Sequence, residues 1–317
     1  MAERRRIKFG IDLITLYDAQ TWGLDDYNRF YDRNSVSPDV FWDRALDMVA
    51  DAGLDGIELT FGPGHWRNAL ARYGSASGFR SALAERGLEV CSGFYAGLVV
   101  EGDWRELERR NAFLAEVDAY AEFLGQAGCE NLIVGLPLRT TWDATPPLFV
   151  DAEYAMGLAA LINEMGYLAA KRGVRLSIHP ETHAVLWFRR DIDLFLSLTD
   201  PVYVGFCPDT AHITTAGNNP SEIVRQHAER ITITHWKDAT GRVPVQMVLD
   251  ENMFKAHHPY FARAGAGIVD WQEWARTLRH VGFEGWAILE LDAAADPIGA
   301  ISEATAFVES TLLPIYS

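Results

Sequence analysis

Eight short apolar runs, rich in β-branched residues, recur along the 317-residue chain, each separated from the next by a stretch of helical periodicity. They are Ile7 to Thr15, Gly56 to Phe61, Leu88 to Phe94, Asn131 to Leu136, Arg175 to His179, Val202 to Cys207, Ile231 to His235 and Trp286 to Leu291. Several are continuously apolar, the pattern of parallel strands covered on both faces. Helix ends are legible between them. Ser37-Pro38 supplies a cap and a first-turn proline ahead of the apolar positions Phe41, Ala45, Met48 and Val49. Gly53, Gly87, Gly128, Gly173 and Gly282 stand where helices should stop, a place that favours the left-handed conformation open to glycine. No glycine-rich phosphate fingerprint follows the first run, and Gly62-Pro63-Gly64 lacks the required spacing. The pattern predicts an α/β fold, a single (β/α)8 TIM barrel over residues 1–317, in preference to an open doubly wound sheet.

Charge narrows the partners. With 28 Lys+Arg against 44 Asp+Glu the net charge is −16, which argues against a nucleic-acid binder. Cys91, Cys129 and Cys207 are too few and too scattered for a disulfide framework or a thiolate zinc site, so a reducing, cytoplasmic compartment is expected. The start Met1 to Arg6 is basic but leads into no unbroken apolar stretch, and a signal peptide is not expected. No apolar run approaches the roughly 18 residues that cross a bilayer, so no membrane role is expected.

Barrels of this kind carry their sites where the strands end. The fifth run ends His179-Pro180-Glu181-Thr182-His183, the sixth Cys207-Pro208-Asp209-Thr210-Ala211-His212, the seventh His235-Trp236-Lys237-Asp238 and the eighth Glu290-Leu291-Asp292. Two Glu, one Asp and one His converging on one rim would set three negative charges face to face, which a divalent cation resolves. Mixed carboxylate and imidazole ligands suit Mn²⁺, the first expectation, or Co²⁺ or Mg²⁺; Zn²⁺ is admissible, and the lack of thiolate ligands removes one reason to favour it. Two connections are long, Leu16 to Ser37 and Trp236 to Asp270, and both are rich in aromatics and histidine. They are expected to pack on each other, on a neighbouring subunit or on substrate. In the second of them Lys237 and His257 are candidate substrate contacts.

The segments Pro180-Glu181, Asp209-Thr210-Ala211-His212, His235-Trp236-Lys237-Asp238, Gly265 to Trp271 and Glu290 resemble the xylose-isomerase-like TIM-barrel superfamily, which includes sugar isomerases, ketose epimerases, inosose dehydratases and endonuclease IV. The resemblance runs essentially the whole length. It implies Glu181, Asp209, His235 and Glu290 as metal ligands, the four that the strand ends also supply. It implies removal of a proton from carbon next to a carbonyl or hydroxyl carbon, with a Lewis acid at the developing oxyanion. Candidate bases are Glu181, Glu290 and His183; a metal-bound carboxylate is a weakened base, which favours His183. His212 falls in the D-x-x-H pattern placed near the substrate. The His-x-Lys-Asp form is more similar to inosose dehydratases, and to the catalytic subunit of bacterial C-glycoside deglycosidases acting on 3-keto-glycosides, than to ketose epimerases. That implies a lyase eliminating a β-substituent after enolisation. The alternatives are a sugar isomerase or ketose epimerase, an endonuclease IV-like nuclease, disfavoured by charge and missing ligands, and a non-catalytic sugar-binding subunit. The implied partners are a small-molecule keto sugar or keto-glycoside and an oligomer of the chain, with a small β-subunit in the deglycosidase case.

Overall fold

All eight apolar runs become parallel strands: Ile7–Asp12, Gly56–Leu59, Glu89–Tyr95, Asn131–Gly135, Arg175–His179, Val204–Phe206, Thr234–Trp236 and Gly285–Leu289. The computed structural model describes residues 7–100, 103–141, 143–145, 148–292 and 294–316. The basic start Met1 to Arg6, on which the leader reading rests, lies outside the described residues. In the sheet the order is sixth, fifth, fourth, third, second, first, eighth, seventh. Isolated parallel bridges, Phe206 with Ile231 and Asp209 with His235, join the sixth strand region to the seventh and close the (β/α)8 barrel.

Two strands stop or start differently from the sequence expectation, for local reasons. The first ends at Asp12 because its Oδ1 accepts the Ile14 N–H at 2.8 Å and caps the single turn Leu13–Leu16. The sixth begins only at Val204, since Asp200 holds Val202 in a turn by accepting its N–H at 2.8 Å. Helix ends agree with the sequence. Ser37 Oγ accepts the Val40 N–H at the head of Pro38–Asp51, and the helix stops at Ala52 before Gly53, whose φ of 74° an L side chain would resist. The other four helix-ending glycines also have positive φ.

Alternation along the strands layers the barrel interior. On the eighth strand Trp286, Ile288 and then Glu290 follow one another along one face. Ile288 packs with Cys91, Ile133, Cys207 and Ile233 in a fully buried layer beneath the mouth. All three cysteines are free and buried. Outside, the helices bury stripes such as Phe41, Trp42, Ala45, Leu46 and Val49 of Pro38–Asp51, each large side chain contributing about 1.5–3 kcal/mol.

The long loops meet over the mouth. The first carries the turn Tyr27–Tyr31; the second carries the pair Asp238–Ala239 and Phe261–Ala262 and the helix Met253–His257. Lys255 Nζ lies 2.8 Å from Asp26 Oδ2, and the Tyr27 and His258 rings meet edge to face at 5.3 Å. Among the described residues no helix is long and apolar enough to cross a membrane.

Candidate active site

One donor atom from each of His179, Asp209, His235 and Glu290 lies within 4.8 Å of the others, and all four residues are buried. His179 ends the fifth strand. Among the described residues neither of its ring nitrogens has a hydrogen-bond partner, and Nε2 stands 3.7 Å from Asp209 Oδ2. Asp209 Oδ1 accepts the His212 N–H at 2.7 Å and caps the helix Thr210–Thr215, whereas its buried Oδ2 has no hydrogen bond among the described residues. His235 is gripped from both sides, with Nδ1 2.7 Å from Glu290 Oε2 and Nε2 3.2 Å from Glu58 Oε2. Glu58, fully buried on the second strand, also accepts from the Ser92 hydroxyl. Burial disfavours a charged His235, but Cys207, Glu58 and Glu290 outweigh it and hold the ring's pKa well above the usual histidine value.

The expected ligand set had Glu181 where His179 stands. The fifth strand stops at His179 and the chain turns beyond Pro180, the Glu181 N–H donating to the Leu186 carbonyl at 3.0 Å. That turn moves the Glu181 carboxyl out of the four-atom group and onto the cavity wall, and its buried Oε2 has no hydrogen bond among the described residues. Burial pushes this carboxyl up to about 8 against the pull of Lys237. A thiol, discounted in the sequence, stands near the site as well: Cys207 forms a second three-donor group with His179 and His235.

Lys237, expected to touch substrate, is fully buried and does not line the cavity. Its ammonium donates to Glu290 Oε1 at 2.5 Å and Asp292 Oδ2 at 3.0 Å, and lies 3.0 Å from His212 Nε2. A buried ammonium needs such partners, and it serves as the internal countercharge of the carboxylates. His212 does line the cavity, its Nδ1 accepting the Thr182 N–H at 3.0 Å; burial and then Lys237 hold its pKa well below the ordinary value. Asp238 is spent on the fold: its Oδ1 accepts from Ala239 and Val269 N–H, and its Oδ2 from Gly265 N–H and the Trp271 indole, which fastens the segment from Gly265 to Trp271.

His183, expected as the base, does not line the cavity. Its φ of 64°, the one positive value outside glycine among the described residues, costs such a side chain about 1–2 kcal/mol and turns its ring toward the second long loop. His257 does line the cavity. The motifs do not single out Glu58, although a carboxylate inside the apolar strand Gly56–Leu59 is a visible signal, or Asp12, which lies on the cavity floor.

The cavity above these groups measures about 830 Å³. Its floor is polar, with Asp12, His179, His235 and Glu290, and Glu181 and Asp292 stand beside them. One wall is aromatic: Tyr31 and Phe61 stack at 5.3 Å and 9°, and Phe254 is 6.3 Å from Tyr31. The two loops therefore both pack on each other and enclose the cavity.

Comparison with known proteins bears on this geometry. The family described as xylose isomerase-like TIM barrel matches residues 46–311. The inosose dehydratase of Geobacillus thermodenitrificans (strain NG80-2) is 25% identical over 320 residues, covering 98% of this chain and 99% of that one. Among solved structures, the IolI protein with a bound zinc atom is similar at a TM-score of 0.69 and 16% identity, covering 95% of this chain and 96% of that one. The 3-keto-D-glucoside 4-epimerase YcjR of E. coli is similar at a TM-score of 0.64 and 17% identity, covering 84% and 93%.

Proposed function

The chain belongs to the xylose isomerase-like TIM barrel family, and from that premise we propose that it is a divalent-metal-dependent lyase acting on a keto-cyclitol or keto-glycoside. It takes a proton from the carbon next to the carbonyl and then expels a β-substituent. The observation that carries the reading is the set of sealed atoms without a hydrogen bond among the described residues at and beneath the cavity floor: both His179 nitrogens and Asp209 Oδ2, beside His235 and Glu290. A buried polar atom left unpaired costs about 1–3 kcal/mol, so donors gathered this way fit a cation. His179, Asp209, His235 and Glu290 would hold it, in place of the Glu181 set. Two imidazoles and two carboxylates suit Mn²⁺, Co²⁺ or Zn²⁺ better than Mg²⁺, which prefers an all-oxygen shell. Once bound, such an ion supplies Lewis acidity to the substrate's oxygens.

The chain's own residues do the rest. The Glu181 carboxylate, on the cavity wall, takes the proton. The C–H electron pair becomes the new double bond, the β-C–O bond breaks, and the proton held by Glu181 is available to the departing oxygen. Glu58 accepts from His235 Nε2 and so keeps Nδ1 turned to the floor. His212 and Asp292 line the wall where ring hydroxyls would lie. Elimination is favoured over isomerisation by the similarity to inosose dehydratase across nearly the full length of both chains.

Cavity size bears on the substrate. A keto-cyclitol has about twelve heavy atoms, far fewer than the drug-sized ligands that pockets of roughly 300–1,000 Å³ enclose. A space of about 830 Å³ with an aromatic wall supports a ring that carries a flat apolar group, as in an aryl keto-glycoside. The test is incubation of the Mn²⁺-loaded protein in D₂O with an inosose or an aryl 3-keto-glucoside. Loss of water or aglycone is expected. Deuterium incorporation with the skeleton and substituents retained would make it an isomerase or epimerase, and no exchange at all would overturn both readings.

A further inference from the structure

The strained turn at His183 has a partner that defines its purpose. Its imidazole stacks on that of His257 at 5.0 Å and 23°, with His183 Nδ1 2.9 Å from His257 Nε2, and His183 Nε2 lies 3.1 Å from the Pro244 carbonyl oxygen. A carbonyl only accepts, so His183 Nε2 must carry the ring's hydrogen. A neutral imidazole has one N–H, which leaves His183 Nδ1 bare and able only to accept. His257 Nε2 is then the donor across the 2.9 Å contact, and His257 Nδ1 is left bare in turn. Among the described residues His257 Nδ1 has no hydrogen-bond partner, and it is not one of the sealed polar atoms, unlike Nε2 of the neighbouring His258. His257 lines the cavity. The ring stays neutral: burial, then His183, His258 and Lys237 hold it down to about 3.

We infer that His257 Nδ1 is a built hydrogen-bond acceptor on the cavity wall for a hydroxyl of a polyhydroxylated keto ring, and that His183 is the positioning residue that fixes its tautomer. The fold holds His183 at positive φ because a ring in that place can reach the Pro244 carbonyl and His257 together, and strain of this kind persists where the surroundings over-determine it. The chain Pro244 to His183 to His257 to ligand reads hydroxyl donors only. An analogue with the hydroxyl replaced by hydrogen leaves Nδ1 unpaired, the loss to which hydroxyl-reading sites owe their selectivity.

The inference rests on the proposed function only for the class of ligand. Its test is long-range ¹H–¹⁵N spectroscopy of the ¹⁵N-histidine-labelled, Zn²⁺-loaded protein, with an inosose as the probe. Both rings are expected as Nε2–H tautomers, and the His257 Nδ1 resonance is expected to move on addition of the inosose while His183 stays put. A Nδ1–H form of His257, or a Nδ1 resonance unmoved at saturating inosose, overturns the inference. His183→Gly relieves the backbone but removes the acceptor. It should mix the His257 tautomers and raise KM for the inosose by about tenfold or more, with a smaller effect on kcat; a variant with unchanged tautomers and KM overturns the positioning role. Proton exchange into the inosose beside an unmoved His257 would sink this inference and leave the proposed chemistry standing. Tautomers and shift as assigned without any exchange would do the reverse.

Discussion

Where the barrel strands begin, the buried Arg230 guanidinium donates to the carbonyls of Leu196 and Val204 and to the Thr199 hydroxyl, so a charge taken out of water has its hydrogen bonds. Where they end, among the described residues, neither His179 nitrogen is hydrogen-bonded, and one oxygen each of Asp209 and Glu181 is sealed without a hydrogen bond. Both ends bury polar groups in one rigid scaffold. Satisfying a buried group contributes to stability, whereas leaving it bare costs stability and keeps its bonding capacity for something that arrives later. Asp238 and Glu181 repeat the contrast at the same end of the barrel: one carboxylate accepts four hydrogen bonds from the chain, whereas the other lines the cavity and keeps a buried oxygen with no hydrogen bond among the described residues.

The largest test of that contrast is Asp209→Asn. Asparagine still caps Thr210–Thr215, so turnover should fall by roughly 10³-fold while the melting temperature holds or rises. A parallel loss of both would erase the distinction. Arg230→Met is the mirror image: about 3–5 kcal/mol of stability lost in urea titrations, with turnover per folded molecule unchanged. Asp238→Asn turns an amide toward the Gly265 and Trp271 donors and should cost about 2–4 kcal/mol, read in the same titrations. The effect confined to acid pH comes last. Burial, then Arg67, lowers His65 to about 4 in the fold, below its ordinary value near 6.5. The unfolded chain therefore takes up the proton first as pH falls. Stability contributed by the neutral ring is full above about 6.5 and declines down to about 4, and His65→Asn, which can keep the cap on Trp66–Tyr73, should flatten that part of the stability curve.

The barrel and its rim were legible because alternation and helix stops are local. The eight runs, the cap at Ser37 and the helix-ending glycines depend on a few neighbouring residues. Polar residues at strand ends also name Asp209, His235 and Glu290, three side chains that the fold draws together with His179. Glu181 comes from the motif, which weighs residue type and ignores where the strand stops; His179, the last inward residue of Arg175–His179, is the one that the fold groups with the other three. The fates of His183 and Lys237 were hidden for another reason. Pro244 and His257 lie 61 and 74 residues from His183, and Glu290 and Asp292 lie 53 and 55 residues from Lys237, so the roles of these side chains are written in distant loops and strands.

Strand pairing is weakest between the sixth and seventh strands, where isolated bridges replace a ladder, and one of those bridges joins Asp209 to His235. Any cation shared by these two side chains would rivet the cylinder along this seam. Occupancy would then govern how readily the wall breathes, and amide protons flanking the seam should exchange with solvent faster after dialysis against a chelator than those on the opposite staves.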